Sequence, residues 1–182
     1  MPASPTCGSP RKPEDAPAIG WSRVRSAVVI TCSTRAASGV YPDRSGPILV
    51  EALREWGFAT GDPVLVADGD AVGHALRTAL QAEPALILTT GGTGLNPTDS
   101  TPEQTAPLLD RQIPGIPEAL RAPGVAAGIP GAMLSRGLAG VAGTTLVINL
   151  PGSTGGVRDA LDVLRPVLDH AIDQLHGGDH RA

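Results

Sequence analysis

The sequence predicts a single α/β domain of three layers, a mainly parallel sheet flanked by helices. Three observations predict it. Short runs rich in Val, Ile and Leu recur at residues 25–32, 63–66, 85–89 and 144–150. Between them, apolar residues return at helical spacing. The runs lead into loops of Gly, Asp, Asn, Ser and Thr, and in parallel sheets ligands bind beyond the carboxyl ends of the strands.

The elements follow in order. Residues 1–22 contain Pro2, Pro5, Pro10, Pro13 and Pro17 without an apolar run. They read as a disordered, Pro-rich leader and not as a signal peptide. One domain is expected over residues 23–177, with a flexible tail at 178–182. The first strand holds Ala27, Val28, Val29 and Ile30, and a polar loop spans 33–45. Pro47 suits the first turn of a helix whose face is Ile48, Leu49, Ala52, Leu53 and Trp56. After the strand at 63–66 come Asp68, Gly69 and Asp70, then a helix burying Val72, Ala75, Leu76, Ala79 and Leu80. The strand at 85–89 runs into a glycine-rich loop. Thr101 is expected to cap the next helix, with Pro102 first and Gln104 closing a capping box. Residues 113–143 are broken by Pro and Gly, with short helices near 117–121 and 132–136. The strand at 144–150 turns through Pro151, Gly152 and Ser153 into helices that Pro166 kinks or divides.

Composition narrows the function. The chain has 182 residues, 41% hydrophobic and only 2% aromatic, so the core is aliphatic. A net charge of -4 and the lack of aromatic stacking residues argue against nucleic acid. No apolar run reaches the roughly 18 residues of a membrane span. Cys7 and Cys32 lack metal spacing and fit a cytoplasmic protein. Lys12, in the leader, is the only lysine, which excludes a Walker-type phosphate loop. Phosphate would have to be held by backbone N–H groups, hydroxyls, arginine or a metal.

The sharpest feature is Thr89, Thr90, Gly91, Gly92, Thr93, Gly94. Glycines let the backbone approach an anion, hydroxyls add donors, and a helix N-terminus favours negative charge. The same glycines also suit a tight strand-to-helix turn. Asp99 precedes the next helix and could simply complement its dipole. Beside a phosphate loop, however, a carboxylate implies an intervening cation such as magnesium. Asp68 ends the preceding strand and could face the same crevice or be a turn residue. Ser135 and Arg136 could meet a phosphate, though Arg136 could equally lie on the surface. Asn149 could read a heterocycle edge or satisfy backbone groups. His74, His170 and His176 read as surface histidines, and Asp162, Asp169 and Asp173 as a solvated helix face.

Thr90-Gly91-Gly92-Thr93-Gly94, Asp99 and Thr101-Pro102-Glu103 resemble the signature of the Mog/MoaB molybdenum cofactor proteins. Gly115-Ile116-Pro117-Glu118-Ala119-Leu120-Arg121, Leu134-Ser135-Arg136 and Asn149-Leu150-Pro151-Gly152-Ser153 fall in the family's order. So do Ser38-Gly39-Val40-Tyr41 and Asp43-Arg44-Ser45-Gly46. The resemblance covers roughly residues 25–176 and is nearest to stand-alone bacterial members. It implies the molybdenum cofactor biosynthesis protein fold, a homo-oligomer (a trimer), and other proteins of that pathway as partners. It implies transfer of AMP from ATP to the terminal phosphate of molybdopterin, releasing pyrophosphate. Asp99 would hold magnesium and the ATP phosphates, with Asp68 assisting. Thr90, Gly91, Gly92, Thr93, Gly94, Ser135, Arg136, Asn149, Pro151, Gly152 and Ser153 would bind pterin and phosphates. Many relatives have Arg before the loop aspartate and Pro-Lys after the Asn-Leu-Pro-Gly-Ser stretch. Here Thr98 and Thr154-Gly155-Gly156 stand instead. A non-catalytic molybdopterin carrier is the alternative. A third reading borrows from CinA-like relatives of the fold, which act on pyridine-nucleotide metabolites.

Overall fold

The computed structural model describes residues 25–177. The expected leader and tail lie outside the described residues. Four strands run parallel: β1 (Ala27–Cys32), β2 (Val64–Val66), β3 (Leu86–Thr90) and β6 (Thr145–Leu150). Two more, β4 (Arg111–Gln112) and β5 (Ala139–Ala142), extend the sheet antiparallel through β5 against β6. The order is β2-β1-β3-β6-β5-β4.

Alternation along the strands makes the three layers. Ala27, Val29, Leu86, Leu88, Leu146 and Ile148 face helices α2 (Ser45–Glu55) and α6 (Thr154–Leu175), where Leu49, Leu53, Leu164 and Leu168 complete a dry aliphatic core. Ile30, Cys32, Ile87 and Val147 face α3 (Asp70–Leu80) through Val72 and Leu76. Each fully buried leucine contributes about 2 kcal/mol by leaving water, so aliphatic burial suffices without aromatics. No helix among the described residues is long and apolar enough to cross a membrane.

Several local expectations change. The segment read as broken loop supplies both antiparallel strands, and its first helix is longer, α5 (Gly115–Ala126), running through Pro123. Its second expected helix is a 3-10 turn, Pro130–Leu134. The loop at 33–45 contains one helical turn, α1 (Thr34–Ala37). α6 is continuous through Pro166, because the carbonyl that the proline leaves unbonded belongs to exposed Asp162 and can be hydrated. The cap of α4 (Thr101–Thr105) is Ser100, one residue earlier than expected and without a side-chain bond. Thr101 instead donates its hydroxyl to Gly91 O at 3.0 Å, and Gln104 turns sideways to Asp70, at 3.3 Å. The solvated face of α6 is partly engaged: Arg25 bridges Asp169 and Asp173, each at 2.6 Å.

Candidate functional site

β3 emerges between β1 and β6, so the loop after it lies at the middle of the sheet's carboxyl edge. Gly91 and Gly92 adopt φ +95° and +63°. A Cβ on Gly91 would collide with the Cys32 carbonyl, and one on Gly92 with the Thr101 hydroxyl. Both glycines are therefore needed for conformation and for close approach. Thr90 donates its hydroxyl to Pro151 O at 2.8 Å, and Gly91 N–H reaches Leu150 O at 3.2 Å. These bonds lock the loop to the turn after β6. The N–H groups of Gly92, Thr93 and Gly94 donate to no backbone carbonyl among the described residues.

All four segments expected at this edge meet there. Ser33, Ser45, Asp68, Gly91, Asp99 and Gly152 line one cavity of about 820 Å³. A second, of about 610 Å³, lies across the loop, walled by Pro117, Leu120, Ile129 and Leu134 and by the start of α6 at Ser153, Gly155 and Gly156. Gly91, Gly92, Asp99 and Gly152 belong to both. Ser153 caps α6 by accepting from Gly156 N–H at 3.2 Å, which aims that helix's N-terminus at the shared floor.

Asp68 is held by α1: its Oδ2 accepts from the N–H and hydroxyl of Thr34 at 2.9 and 2.7 Å. Asp99 Oδ2 accepts from Asn96 N–H at 3.3 Å. Asp68 Oδ1 lies 3.2 Å from a Cβ built on Gly92, and Asp99 Oδ2 lies 2.7 Å from one on Gly94. The two acids thus border one loop. Among the described residues, no group of three or more His, Cys, Asp or Glu forms a metal cage. The two carboxylates beside this glycine loop are the groups that could hold magnesium, which takes one or two carboxylates and completes its shell with other oxygens and water.

Ser135 and Asn149 line the second cavity, and Arg136 lies beside it, with different duties. Asn149 is 2% exposed. Its amide donates to the hydroxyls of Thr89 and Thr105, both at 3.0 Å, and its Oδ1 accepts from Leu138 N–H at 3.1 Å. Of its two readings, satisfaction of internal groups is the one observed. Arg136 likewise faces the protein: Nε donates to Gly94 O at 2.8 Å, one terminal nitrogen to Asp99 O at 2.7 Å, and the other pairs with Glu103. Its own N–H reaches Thr93 O at 2.8 Å. Arg136 is a clasp over the 93–99 loop, a role invisible in a Ser-Arg dipeptide. Ser135 sits 3.4 Å from the Thr93 hydroxyl.

The residue-by-residue reading missed the first cavity's far wall. Asp43 accepts from Thr31 Oγ1 at 2.7 Å and caps α2 through Ser45 N–H and Gly46 N–H at 3.0 and 3.1 Å. Ser45 donates to Gly152 O at 2.8 Å. Arg35 lies 5.0 Å from the centre of the Tyr41 ring. Cys32 also lines this cavity, and burial pushes its thiol up to about 12. As expected of surface histidines, His74 and His170 are exposed, while His176, the C-cap of α6, has its Nδ1 2.8 Å from Ile172 O.

A mixed sheet flanked on both faces, with two cavities meeting over a glycine loop at its carboxyl edge, defines an α/β ligand-binding domain. Residues 28–170 match the family model of a probable molybdopterin binding domain. The chain is 56% identical to the molybdopterin biosynthesis Mog protein from Mycobacterium ulcerans, with TM-score 0.80 over 83% of this chain and 99% of that one. It is 41% identical over 155 residues to a molybdenum cofactor biosynthesis bifunctional protein of Synechococcus elongatus, covering 85% of this chain and 48% of that protein. It is 32% identical over 153 residues to a molybdopterin adenylyltransferase of Helicobacter pylori, covering 82% and 86%. The chain thus spans about half the length of the bifunctional relative and most of the length of the adenylyltransferase. It belongs to the Mog/MoaB family of molybdenum cofactor biosynthesis proteins.

Proposed function

We propose that this chain is a molybdopterin adenylyltransferase, transferring AMP from ATP to the terminal phosphate of molybdopterin with release of pyrophosphate. The observation that carries the reading is the shared floor. Two cavities, each large enough for a heterocycle, meet over Gly91, Gly92, Asp99 and Gly152. Two substrates entering from opposite sides would bring their phosphates together there.

The chemistry needs alignment more than a base. The pterin phosphate is already an anionic nucleophile. One of its oxygens bonds to the α-phosphorus of ATP, the bond from that phosphorus to the bridging oxygen breaks, and pyrophosphate leaves with the electron pair. Unpaired loop N–H groups and the N-terminus of α6 favour the charge that gathers at the transferring phosphoryl group. Asp68 and Asp99 would hold magnesium, which when bound screens the phosphates from one another. Thr34 and Asn96 fix the orientation of those acids, and the Arg136 clasp keeps the loop between them in place. Bound phosphates in line for displacement then gain the advantage of proximity.

The same reading includes a cytoplasmic location and a homotrimer whose contacts include the 113–143 segment. There Val125, Ile129, Met133 and Leu134 are exposed; sedimentation as a monomer at micromolar concentration would refute the assembly. The activity is tested by incubating pure protein with molybdopterin, ATP and magnesium. Adenylated pterin and pyrophosphate should form in equal amounts. Tight pterin binding without adenylated product would make the chain a carrier.

A further inference from the structure

The glycine loop sorts its backbone groups by sign. Each carbonyl from Gly91 to Gly94 has a donor. Gly91 O accepts from the Thr101 hydroxyl and Gly92 O from the Thr101 N–H, both at 3.0 Å. Thr93 O accepts from the Arg136 N–H and Gly94 O from Arg136 Nε, both at 2.8 Å. The turn after β6 is built alike: Pro151 O accepts from the Thr90 hydroxyl and Gly152 O from the Ser45 hydroxyl, both at 2.8 Å. The amides are the opposite. The N–H groups of Gly92, Thr93, Gly94, Gly152 and Ser153 donate to no backbone carbonyl among the described residues. Open amides beside engaged carbonyls present an anion with donors alone.

Two of these donors belong to Thr101, which thereby engages both carbonyls of the Gly91–Gly92 pair. Thr101 is 1% exposed and lines neither cavity, so a ligand in either does not touch it. Nor does its hydroxyl cap α4, whose N-cap is Ser100. The Thr101 carbonyl accepts from the Thr105 hydroxyl at 2.8 Å, which ties down the first turn of α4. Asp68 and Asp99 already border the loop. A carbonyl dipole open to the same space would add to their repulsion of a phosphate.

We infer that Thr101 is a positioning residue for phosphate binding: its hydroxyl keeps Gly91 O engaged with the protein, so that the loop turns only amides to the anion. Ser45 does the same through Gly152 O. This rests on the proposed reading that phosphates meet at this floor, and it goes beyond that reading by assigning the sign of the floor to residues outside the loop. Without the Thr101 hydroxyl, Gly91 O is an unpaired acceptor. It then repels the phosphate beside it. The Thr101 N–H still holds Gly92 O, so the course of the loop is kept while its charge pattern changes.

The test is calorimetric titration of the wild type, Thr101→Val, Thr101→Ser and Ser45→Ala with magnesium pyrophosphate and, separately, with adenosine. Valine keeps the shape of threonine and removes only the hydroxyl; serine restores it. Thr101→Val should weaken pyrophosphate binding about threefold to tenfold, the net value of one hydrogen bond. Thr101→Ser should lie within about twofold of the wild type, and Ser45→Ala should lose as much as Thr101→Val. Adenosine carries no charge and should bind every variant alike, whereas a merely loosened site would lose both ligands. Circular dichroism checks folding; should Thr101→Val not fold, Ser45→Ala carries the comparison. Unchanged pyrophosphate affinity in the Val and Ala variants, an equal loss in Thr101→Ser, or a parallel loss of adenosine would overturn the assignment. Failure of the wild-type chain to make adenylated pterin breaks the transferase reading alone, because the pyrophosphate titration requires no transfer.

Discussion

The walls of the two cavities are built in opposite ways around one floor. The wall of the larger is polar and held by directional bonds: Ser33 caps α1, Thr34 holds Asp68, Asp43 caps α2, and Ser45 reaches Gly152. The wall of the smaller is Pro117, Leu120, Ile129 and Leu134, carried on a helix that contains Pro123, on the turn after it and on a 3-10 turn. Fixed donors suit a charged, extended group, and an apolar slot suits a flat ring. The floor serves both, so damage to it should cost the reaction more than damage to either wall.

That ordering can be broken experimentally. The largest effect is expected on the floor at Asp99→Asn, which keeps the acceptor for Asn96 and removes the charge. Adenylyl transfer should fall by about 10²–10³-fold, while molybdopterin binding stays within severalfold. A variant that retains most of its rate in single-turnover assays would remove Asp99 from the chemistry. Gly91→Ala should come next, and it acts on stability. The residue sits at φ +95° with the Cys32 carbonyl against the missing Cβ. A loss of at least about 2 kcal/mol is expected in urea unfolding, with binding at both cavities impaired together. Loss at only one would show that the floor is not shared.

Legibility in the sequence follows the same division. The parallel half was readable because β1, β3 and β6 are buried on both faces and appear as continuous aliphatic runs. Their carboxyl-end loops could then be gathered by a topological rule, which brought Asp68 and Asp99 to one cavity. The antiparallel half was not readable. β4 is a two-residue strand, and β5 contains Gly140, whose missing side chain lets the Arg111 carbonyl come close. Such residues read as turns. The duties of Arg136 and Asn149 were hidden because their partners, Gly94 and Asp99 for one and Thr89, Thr105 and Leu138 for the other, come from different elements. Neither residue type tells a ligand contact from an internal clasp.

The clasp gives a smaller effect that separates positioning from binding. Arg136→Met removes the bonds to Gly94, Asp99 and Glu103 while retaining much of the side-chain volume. kcat should fall about tenfold as the loop loosens, with the KM for ATP changing less. Arg136→Lys should recover little, because one ammonium cannot reach three separated acceptors. A rise in the KM for ATP with kcat unchanged would show that Arg136 binds phosphate directly.

The smallest expected effect concerns Cys32, at the seam between the polar wall and the core. It is 2% exposed. Burial is the main cause raising its thiol from 9.0 to about 12, with Asp68 adding to the rise and Thr101 opposing it. At pH 8 the thiolate is then about one part in ten thousand, and alkylation of Cys32, followed by peptide mass mapping, should be negligible over hours in the folded protein. Rapid modification would mean that the wall opens, contrary to the rigidity its hydrogen bonds imply. The same shift makes a stability prediction. The folded state keeps the proton that the unfolded chain loses near pH 9, so Cys32 favours folding fully below that pH. Its contribution should decline as pH rises from about 9 toward 12. Cys32→Ala should flatten that decline in urea unfolding measured across the alkaline range. A decline of equal slope in both proteins would assign it to other groups.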